Sequence, residues 1–162
     1  MSLDVCTVRG KSVAVCVRRP WDPPVDDLGV ITARVRTHLV PAVLALAHPP
    51  WQHDVWLDPA TFENLDHIFH VLYDDFCDAD HPERYLGIGL RTEEEVALMR
   101  QLGRAIAAVE AEVPEETDAA YLRAAGWPKV VAAAGRLARV MVDEDLAELL
   151  ALHEARAGDI SP

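Results

Sequence analysis

Cysteine is scarce in this 162-residue chain, which contains only Cys6, Cys16 and Cys77. An odd number of cysteines without a Cys-x-x-Cys spacing predicts neither a disulfide framework nor a zinc site. Cys6 and Cys16 fall on two predicted strands that pair, so these two thiols could be neighbours. We interpret the three as small buried apolar side chains in a reducing compartment.

Serine is equally scarce, and Ser2, Ser12 and Ser161 lie near the chain ends or in a predicted turn. The chain also lacks the Gly-x-Ser-x-Gly, Walker and Gly-x-Gly-x-x-Gly motifs of common enzyme classes. Cys77 and His81 stand four residues apart, a spacing too common to indicate a catalytic dyad. The sequence therefore predicts no catalytic residue and no cofactor, and it favours a non-catalytic function.

Uninterrupted apolar runs of the length that a bilayer requires are also missing. Asp4, Arg9 and Lys11 interrupt the beginning of the chain too early for a signal peptide. Hydrophobic residues make up 51% of the chain, which is enough for a core, and the length predicts one compact domain. We therefore expect a single cytoplasmic domain without membrane association.

Positive charge is the remaining deficit, because 15 Lys and Arg face 27 Asp and Glu, for a net charge of −12. Residues 54–95 hold twelve carboxylates and two arginines, whereas residues 1–53 sum to +2 and residues 96–162 to −4. A general nucleic-acid binder needs a basic face for phosphates, so the composition argues against that class. A concentrated negative region instead favours positively charged partners.

The N-terminal part of the chain predicts a small β-hairpin over residues 1–19. Two β-branched runs, residues 3–8 and 13–17, flank the turn sequence Arg-Gly-Lys-Ser. A Pro-rich linker follows at residues 20–27. Both faces of the hairpin are apolar, and a lone hairpin is marginally stable, so it should rest on helices or pair with a second copy. A structural homodimer is therefore one alternative function.

Residues 28–157 show helical periodicity, which predicts a mainly α fold: an irregular bundle of five or six helices with the N-terminal hairpin. Pro41 should kink or split the first helix. Asp58 followed by Pro59 predicts the start of the second helix, with an apolar stripe from Phe62 to Phe76.

The later helices are predicted from their capping residues. Thr92 and Glu95 form a capping box that predicts a helix start, and Thr117 predicts the cap of a short helix. Pro128 should open a further helix that ends near Val142. Residues 143–145 are acidic and predict the cap of a separate last helix over residues 146–157.

The densest acidic cluster follows the predicted second helix and is the predicted partner-binding site. Carboxylates at a helix C-terminus oppose the helix dipole, and local rules tend to be broken at functional sites. The cluster lacks the glycine and the ligand period of a calcium loop. We expect it to bind a basic surface on an unknown protein partner, the alternative being that it serves solubility. Its members are Asp74, Asp75, Asp78, Asp80 and Glu83.

A metal-dependent enzyme is the other alternative. Glu63, His67, His70 and Asp74 recur at helical spacing, and imidazole and carboxylate groups bind transition metals. The spacing matches neither the Glu-x-x-His pair of di-iron bundles nor His-Glu-x-x-His. A solvated polar helix face is therefore the favoured interpretation, with His67, His70 and Asp74 as candidate ligands.

Several short segments occur in a characteristic order between residues 30 and 142: Tyr73-Asp74-Asp75, Tyr85-Leu86-Gly87, residues 90–96, residues 118–121 and residues 126–134, which begin with Gly126-Trp127-Pro128. This order resembles a family of small uncharacterised acidic helical proteins from streptomycetes and related actinobacteria. The resemblance implies no established activity. In size, acidity and helical content the chain is also similar to the immunity proteins that neutralise bacterial toxins, which implies a toxin-neutralising version of the docking function.

Overall fold

The computed structural model describes residues 28–113 and 117–158, and this part of the chain is mainly helical. The predicted hairpin (residues 1–19), the linker (residues 20–27) and Pro114 lie outside the described residues. Two π-helical segments continue α2 and α3, at Gln52–Trp56 and His70–Asp75, and Pro82–Tyr85 forms a 3-10 turn. The α-helices are α1 (Leu28–Leu46), α2 (Pro49–Trp51), α3 (Leu65–Phe69), α4 (Glu93–Glu110), α5 (Asp118–Arg123) and α6 (Trp127–Gly158).

Helix α6 is the centre of the packing, with α4 lying along it and α1 packed beside α4 on the same helix. The side chains that meet between these three helices are fully buried leucine, isoleucine, valine and methionine, so burial of apolar surface holds the bundle together. They include Leu39, Val43, Leu46, Met99, Leu102, Ile106, Val130, Leu137 and Met141.

Helix α1 is continuous from Leu28 to Leu46, so the predicted split at Pro41 does not occur. Pro41 lies on the exposed side of the helix, where water can hydrate the carbonyl that loses its donor. By length and composition alone, residues 29–46 could also cross a membrane. Leu39, Val43 and Leu46 are buried against the rest of the protein, which accounts for the apolar character of α1.

The prediction that the second helix starts at Asp58 is wrong. The Asp58 carboxylate accepts a hydrogen bond from the Ala60 amide, and the Thr61 hydroxyl donates to the Val55 carbonyl, so these residues form a closed turn. Helix α3 begins only at Leu65, where the Asn64 side chain caps the His67 amide. Phe62, predicted to be in the core, is 99% exposed. Local side chain–backbone bonds thus displace the helix start by several residues.

The prediction of two separate C-terminal helices is also wrong, because α6 runs without interruption over 32 residues. The acidic residues 143–145 are in the interior of this helix rather than at a cap. Asp145 accepts hydrogen bonds from Arg36 at 2.6 Å and from Arg91 at 3.0 Å. The Asp145 carboxylate therefore forms ion pairs with other segments and does not cap a helix.

The predicted caps of α4 and α5 are confirmed. The Thr92 hydroxyl accepts a hydrogen bond from the Glu95 amide, and the Thr117 hydroxyl accepts one from the Ala120 amide. The second half of the predicted capping box differs, because the Glu95 carboxylate accepts from the Arg91 amide. Glu95 is thereby turned toward the interior of the bundle instead of toward the Thr92 amide.

A buried ion pair joins α1, α4 and α6. Arg36 is 4% exposed and Glu95 is 0% exposed, and their side chains form two parallel hydrogen bonds of 3.1 Å. The remaining Arg36 donors reach the carbonyls of Gly89 and Met141, each at 2.9 Å, and the carboxylate of Asp145. All five guanidinium donors are therefore bonded, which is what a buried cation requires.

Candidate functional site

The acidic cluster that was predicted to bind a partner, from Asp74 to Glu83, begins where α3 ends. The π-helical turn His70–Asp75 continues α3, and its last residues, Asp74 and Asp75, are exposed. Since the C-terminal end of a helix carries partial negative charge, these carboxylates stand in an unfavourable field. The dipole conflict predicted from sequence is therefore present at this turn.

Two of the five predicted binding carboxylates are used inside the protein. Asp78 is partly buried, and its carboxylate accepts hydrogen bonds from the amides of Asp80 and His81, both at 3.1 Å. Glu83 pairs with Arg100 at 2.9 Å. Its own backbone amide and Arg100 hold the pKa of Glu83 below the usual value. Asp78 thus shapes the loop, and Glu83 ties the 3-10 turn to α4.

The three other predicted residues, Asp74, Asp75 and Asp80, are exposed, and the Asp80 carboxylate acts on Tyr73 together with a residue from α4. Burial raises the pKa of Tyr73 far above its usual value, and the carboxylates of Glu110 and Asp80 raise it further. Glu110 is exposed at the last turn of α4. We call the exposed carboxylates Asp74, Asp75, Asp80 and Glu110, together with the partly buried Tyr73, the acidic face.

Glu110 was not predicted as a site residue, because 30 positions separate it from Asp80 in the sequence. The packing of α4 onto the 76–85 segment brings the two together. A Cβ atom on Gly103 would lie 2.8 Å from the Ala79 carbonyl oxygen, so only glycine permits this close approach. A glycine inside a strongly helical pattern was the one sequence signal for a tight contact at this point.

Further negative charge lies at the other end of α3. Asp118, the first residue of α5, accepts a 3.5 Å hydrogen bond from the Leu65 amide. Burial raises the pKa of Asp118, and the nearby carboxylate of Asp66 raises it further. Carboxylates therefore lie at both ends of α3, at Asp66 and at Asp74 and Asp75. Asp118 adds to the negative charge near Asp66, although it comes from a distant part of the chain.

The candidate metal ligands do not converge. Among residues 28–113 and 117–158, no group of three or more His, Cys, Asp or Glu side chains is arranged to hold a metal ion. His70 contacts Asp74 at 2.9 Å and Asp66 at 3.8 Å, which is a surface His–carboxylate arrangement. His67 is exposed, and Glu63 precedes α3 and accepts a hydrogen bond from the Trp51 indole. The predicted stripe is therefore interrupted at its first member.

Cys77 is fully buried, and this burial raises the pKa of its thiol to about 12. A nucleophilic cysteine needs a lowered pKa and access to a substrate. His81, four residues further along the chain, is exposed. The environment of Cys77 is thus that of a core side chain, in agreement with its interpretation as a buried apolar residue, whereas Cys6 and Cys16 lie outside the described residues.

A cleft of about 390 Å³ borders the acidic face on the α4 side. Asp80, His81 and Glu83 line one wall, and Arg100 and Arg104 line the other. Arg104 is exposed and carries a positive charge beside the acidic face. Positive and negative side chains therefore meet at this cleft, and its arginines limit the extent of the acidic face on that side.

Residues 31–148 match the family model of a domain of unknown function, DUF7945. The chain therefore belongs to this family, which confirms the expectation of an uncharacterised family. No curated protein and no solved structure shows significant similarity to the chain. The matched region contains the whole acidic face and the buried Arg36–Glu95 pair.

Proposed function

We propose that the protein is a non-catalytic interaction protein that binds a basic surface of a protein partner through the acidic face. In this proposal the complex forms in the cytoplasm. The electrostatic field of the face attracts Lys and Arg side chains, accelerates association and disfavours acidic competitors.

The observation that carries the proposal is the position of Tyr73. Carboxylates from two separate elements, Asp80 from the loop and Glu110 from α4, act on the hydroxyl of this partly buried tyrosine. Its ring also packs edge-on against Phe69, with the ring centroids 6.2 Å apart. An aromatic ring near carboxylates suits an arginine of a partner, which can stack on the ring while pairing with the acids.

The exposed carboxylates offer a second line of support. Asp74 and Asp75 lie at a helix end where they oppose the dipole, and Asp74 contacts the exposed His70, whereas Asp78 bonds loop amides and Glu83 pairs with Arg100. Exposed residues that oppose a helix dipole break a local rule, which is typical of binding surfaces.

Neutralisation of a bacterial toxin is the version of this function that the resemblance to immunity proteins suggests, in an actinobacterial cell. The partner would then be a toxin with a basic surface. This version predicts that the captured partner is itself toxic when it is expressed without this protein.

The test is affinity capture from a lysate of the native cells, with the full chain as bait and mass spectrometry as readout. We expect a basic protein that is retained at 0.1 M NaCl and released at 0.5 M NaCl, because salt at these concentrations screens exposed charges within about 10 Å. The triple variant Asp74→Asn, Asp75→Asn, Asp80→Asn should lose this protein.

A matched control variant changes the same net charge at exposed carboxylates elsewhere: Asp54→Asn, Glu94→Gln and Asp143→Asn. It should retain the partner, because its substitutions lie on other elements. Equal capture by all three baits would contradict the proposal. Equal loss from both variants would show that net charge, rather than the acidic face, governs binding.

A further inference from the structure

An apolar stripe remains exposed on the C-terminal half of α6. It consists of Val142, Leu146, Leu149, Leu150 and His153, which recur at the spacing of one helix face. Leu146, Leu149 and Leu150 are more than half exposed, with Leu149 at 63%. All residues from 146 to 156 are exposed, and Glu148 pairs with Arg91 at 3.6 Å on another side of the helix, so within the described part of the chain no apolar side chain covers the stripe.

Such a section needs a partner for stability. An isolated helix of about three turns is marginal in water, since most helical stability in proteins comes from packing of an amphipathic face. A set of leucines on one face is the pattern that a helix uses to bury itself. The stripe therefore predicts an apolar occupant.

The stripe continues the side of α6 on which α1 packs. A Cβ atom on Gly135 would lie 4.0 Å from the Ala47 side chain, and Gly135, Val142 and Leu149 follow one another at intervals of two helical turns. Arg36, near the other end of α1, contacts Met141 and Asp145. Helix α1 thus runs antiparallel to α6, and its N-terminal end is directed toward the section of α6 that carries the stripe.

The start of α1 is therefore close enough to the stripe for the chain before it to reach the stripe. From Arg36 back to Leu28 the helix rises by about 12 Å, which equals the rise from Asp145 to His153 along α6. Residues 20–27 can extend over at most about 29 Å, and the stripe from Val142 to His153 is about 17 Å long. Residues 1–19 are thus tethered within reach, at an effective concentration of about millimolar.

The charges of the two segments also favour residues 1–19 as the occupant of the stripe. Residues 142–156 carry five carboxylates and one arginine, a sum of −4, whereas residues 1–19 carry one carboxylate and four basic residues, a sum of +3. A second copy of α6 would bring −4 against −4, which is repulsive. Residues 1–19 also hold the two apolar β-branched runs that were predicted to need a covering surface.

We propose that residues 1–19 bind the apolar stripe of α6 in the same molecule. Both parts lie outside or at the end of the region that matches the family, which is residues 31–148. The tethered segment would then cover the leucines of this chain as an addition to the common domain.

The first test uses the full chain with a photoreactive benzophenone amino acid in place of Leu149. Irradiation should link position 149 to a peptide from residues 1–19, as mapped by mass spectrometry. The same amino acid in place of Ala151, which is exposed on the opposite face of the same turn, should give no such link. A mixture of isotope-labelled and unlabelled chains distinguishes a link within one molecule from a link between two.

The second test compares Leu149→Asp with Ala151→Asp by hydrogen–deuterium exchange of the full chain. Leu149→Asp should accelerate exchange about tenfold or more in residues 146–156 and also in residues 1–19, because one buried leucine contributes an opening equilibrium of that size. Ala151→Asp carries a helix-propensity cost at least as large, because alanine is the best helix former, and should change neither segment to this extent.

Three outcomes overturn the proposal. One is the absence of any link between position 149 and residues 1–19. Another is a link found only between differently labelled molecules, which would indicate a dimer. The third is an equal effect of the two aspartates on exchange. None of these results depends on the acidic face, so failure here is distinguishable from failure of the docking proposal.

Discussion

At the scale of single residues, Arg36 illustrates how the protein tolerates a charge in its core. Burial by itself would lower the pKa of Arg36, but the hydrogen bonds and charges of Asp145 and Glu95 together raise it above the usual value. The guanidinium is therefore charged at any pH at which the protein folds. Replacing one partner would leave this charge uncompensated in a site that excludes water.

Glu95→Gln should destabilise the protein by about 3 kcal/mol, because a buried cation loses its paired carboxylate while Asp145 remains. The neighbouring Glu94 is exposed, so Glu94→Gln should change the free energy of unfolding by less than about 0.5 kcal/mol. Urea denaturation monitored by circular dichroism measures both. Similar stability of the two variants would mean that the Arg36–Glu95 pair does not form.

At the scale of elements, the continuity of α6 depends on contacts from other helices. Residues 143–145 have the composition of a helix start, yet no proline or glycine interrupts the sequence at that point. Arg36 and Arg91 instead pair with Asp145 from α1 and from the residue before the Thr92 cap. Within the continuous helix, Asp145 neutralises both arginines, and this pairing stabilises the fold more than the capping of a separate helix would.

Glu144→Pro distinguishes one long helix from two short ones. Proline is tolerated at the first position of a helix, so a separate helix capped by Asp143 would accept it. In the interior of α6 it removes a hydrogen bond and clashes with the preceding turn, so we expect a loss of about 3 kcal/mol or more. Thermal denaturation and helix content by circular dichroism provide the measurement. As a control, Asp143→Ala should be nearly neutral, because an interior exposed aspartate caps nothing.

At the scale of the whole molecule, the negative charge is not distributed evenly over its surface. The carboxylates that ion-pair inside the protein, Glu95, Asp145 and Glu83, face arginines from α1, α4 and the Arg91 position. Asp74, Asp75 and Asp80 remain exposed around the end of α3. The docking proposal depends on the electrostatic field of these exposed carboxylates.

The triple variant Asp74→Asn, Asp75→Asn, Asp80→Asn should be more stable than the wild type by about 0.5 to 1 kcal/mol at low ionic strength, because it relieves like charges beside a helix C-terminus. The gain should disappear in 1 M NaCl, where the Debye length is about 3 Å. Urea denaturation of both proteins at low and at high salt measures this difference. A loss of stability at low salt would indicate that these carboxylates have an internal structural role, as Asp78 does.

Local patterns predicted the elements that depend on neighbouring residues. The caps at Thr92 and Thr117 follow from hydroxyls placed before helical sequences, and both occur where they were predicted. The predictions failed where two local signals competed. Asp58 followed by Pro59 satisfies the rule for a helix start, but the same aspartate closes a turn with Ala60 and the helix begins at Leu65.

The sequence by itself determined a mainly helical protein with an acidic region, because periodicity, capping and composition act over a few residues. Only the tertiary structure decided which carboxylates are paired, since Glu83 pairs with Arg100 and Asp145 pairs with Arg36 across sequence distances that no local pattern encodes. It also brought Glu110 beside Tyr73, through the close contact of Gly103 with Ala79. The physical reason is that Coulomb and packing energies depend on separation in space, and helices packed at about 8–10 Å bring together residues that are remote in the chain.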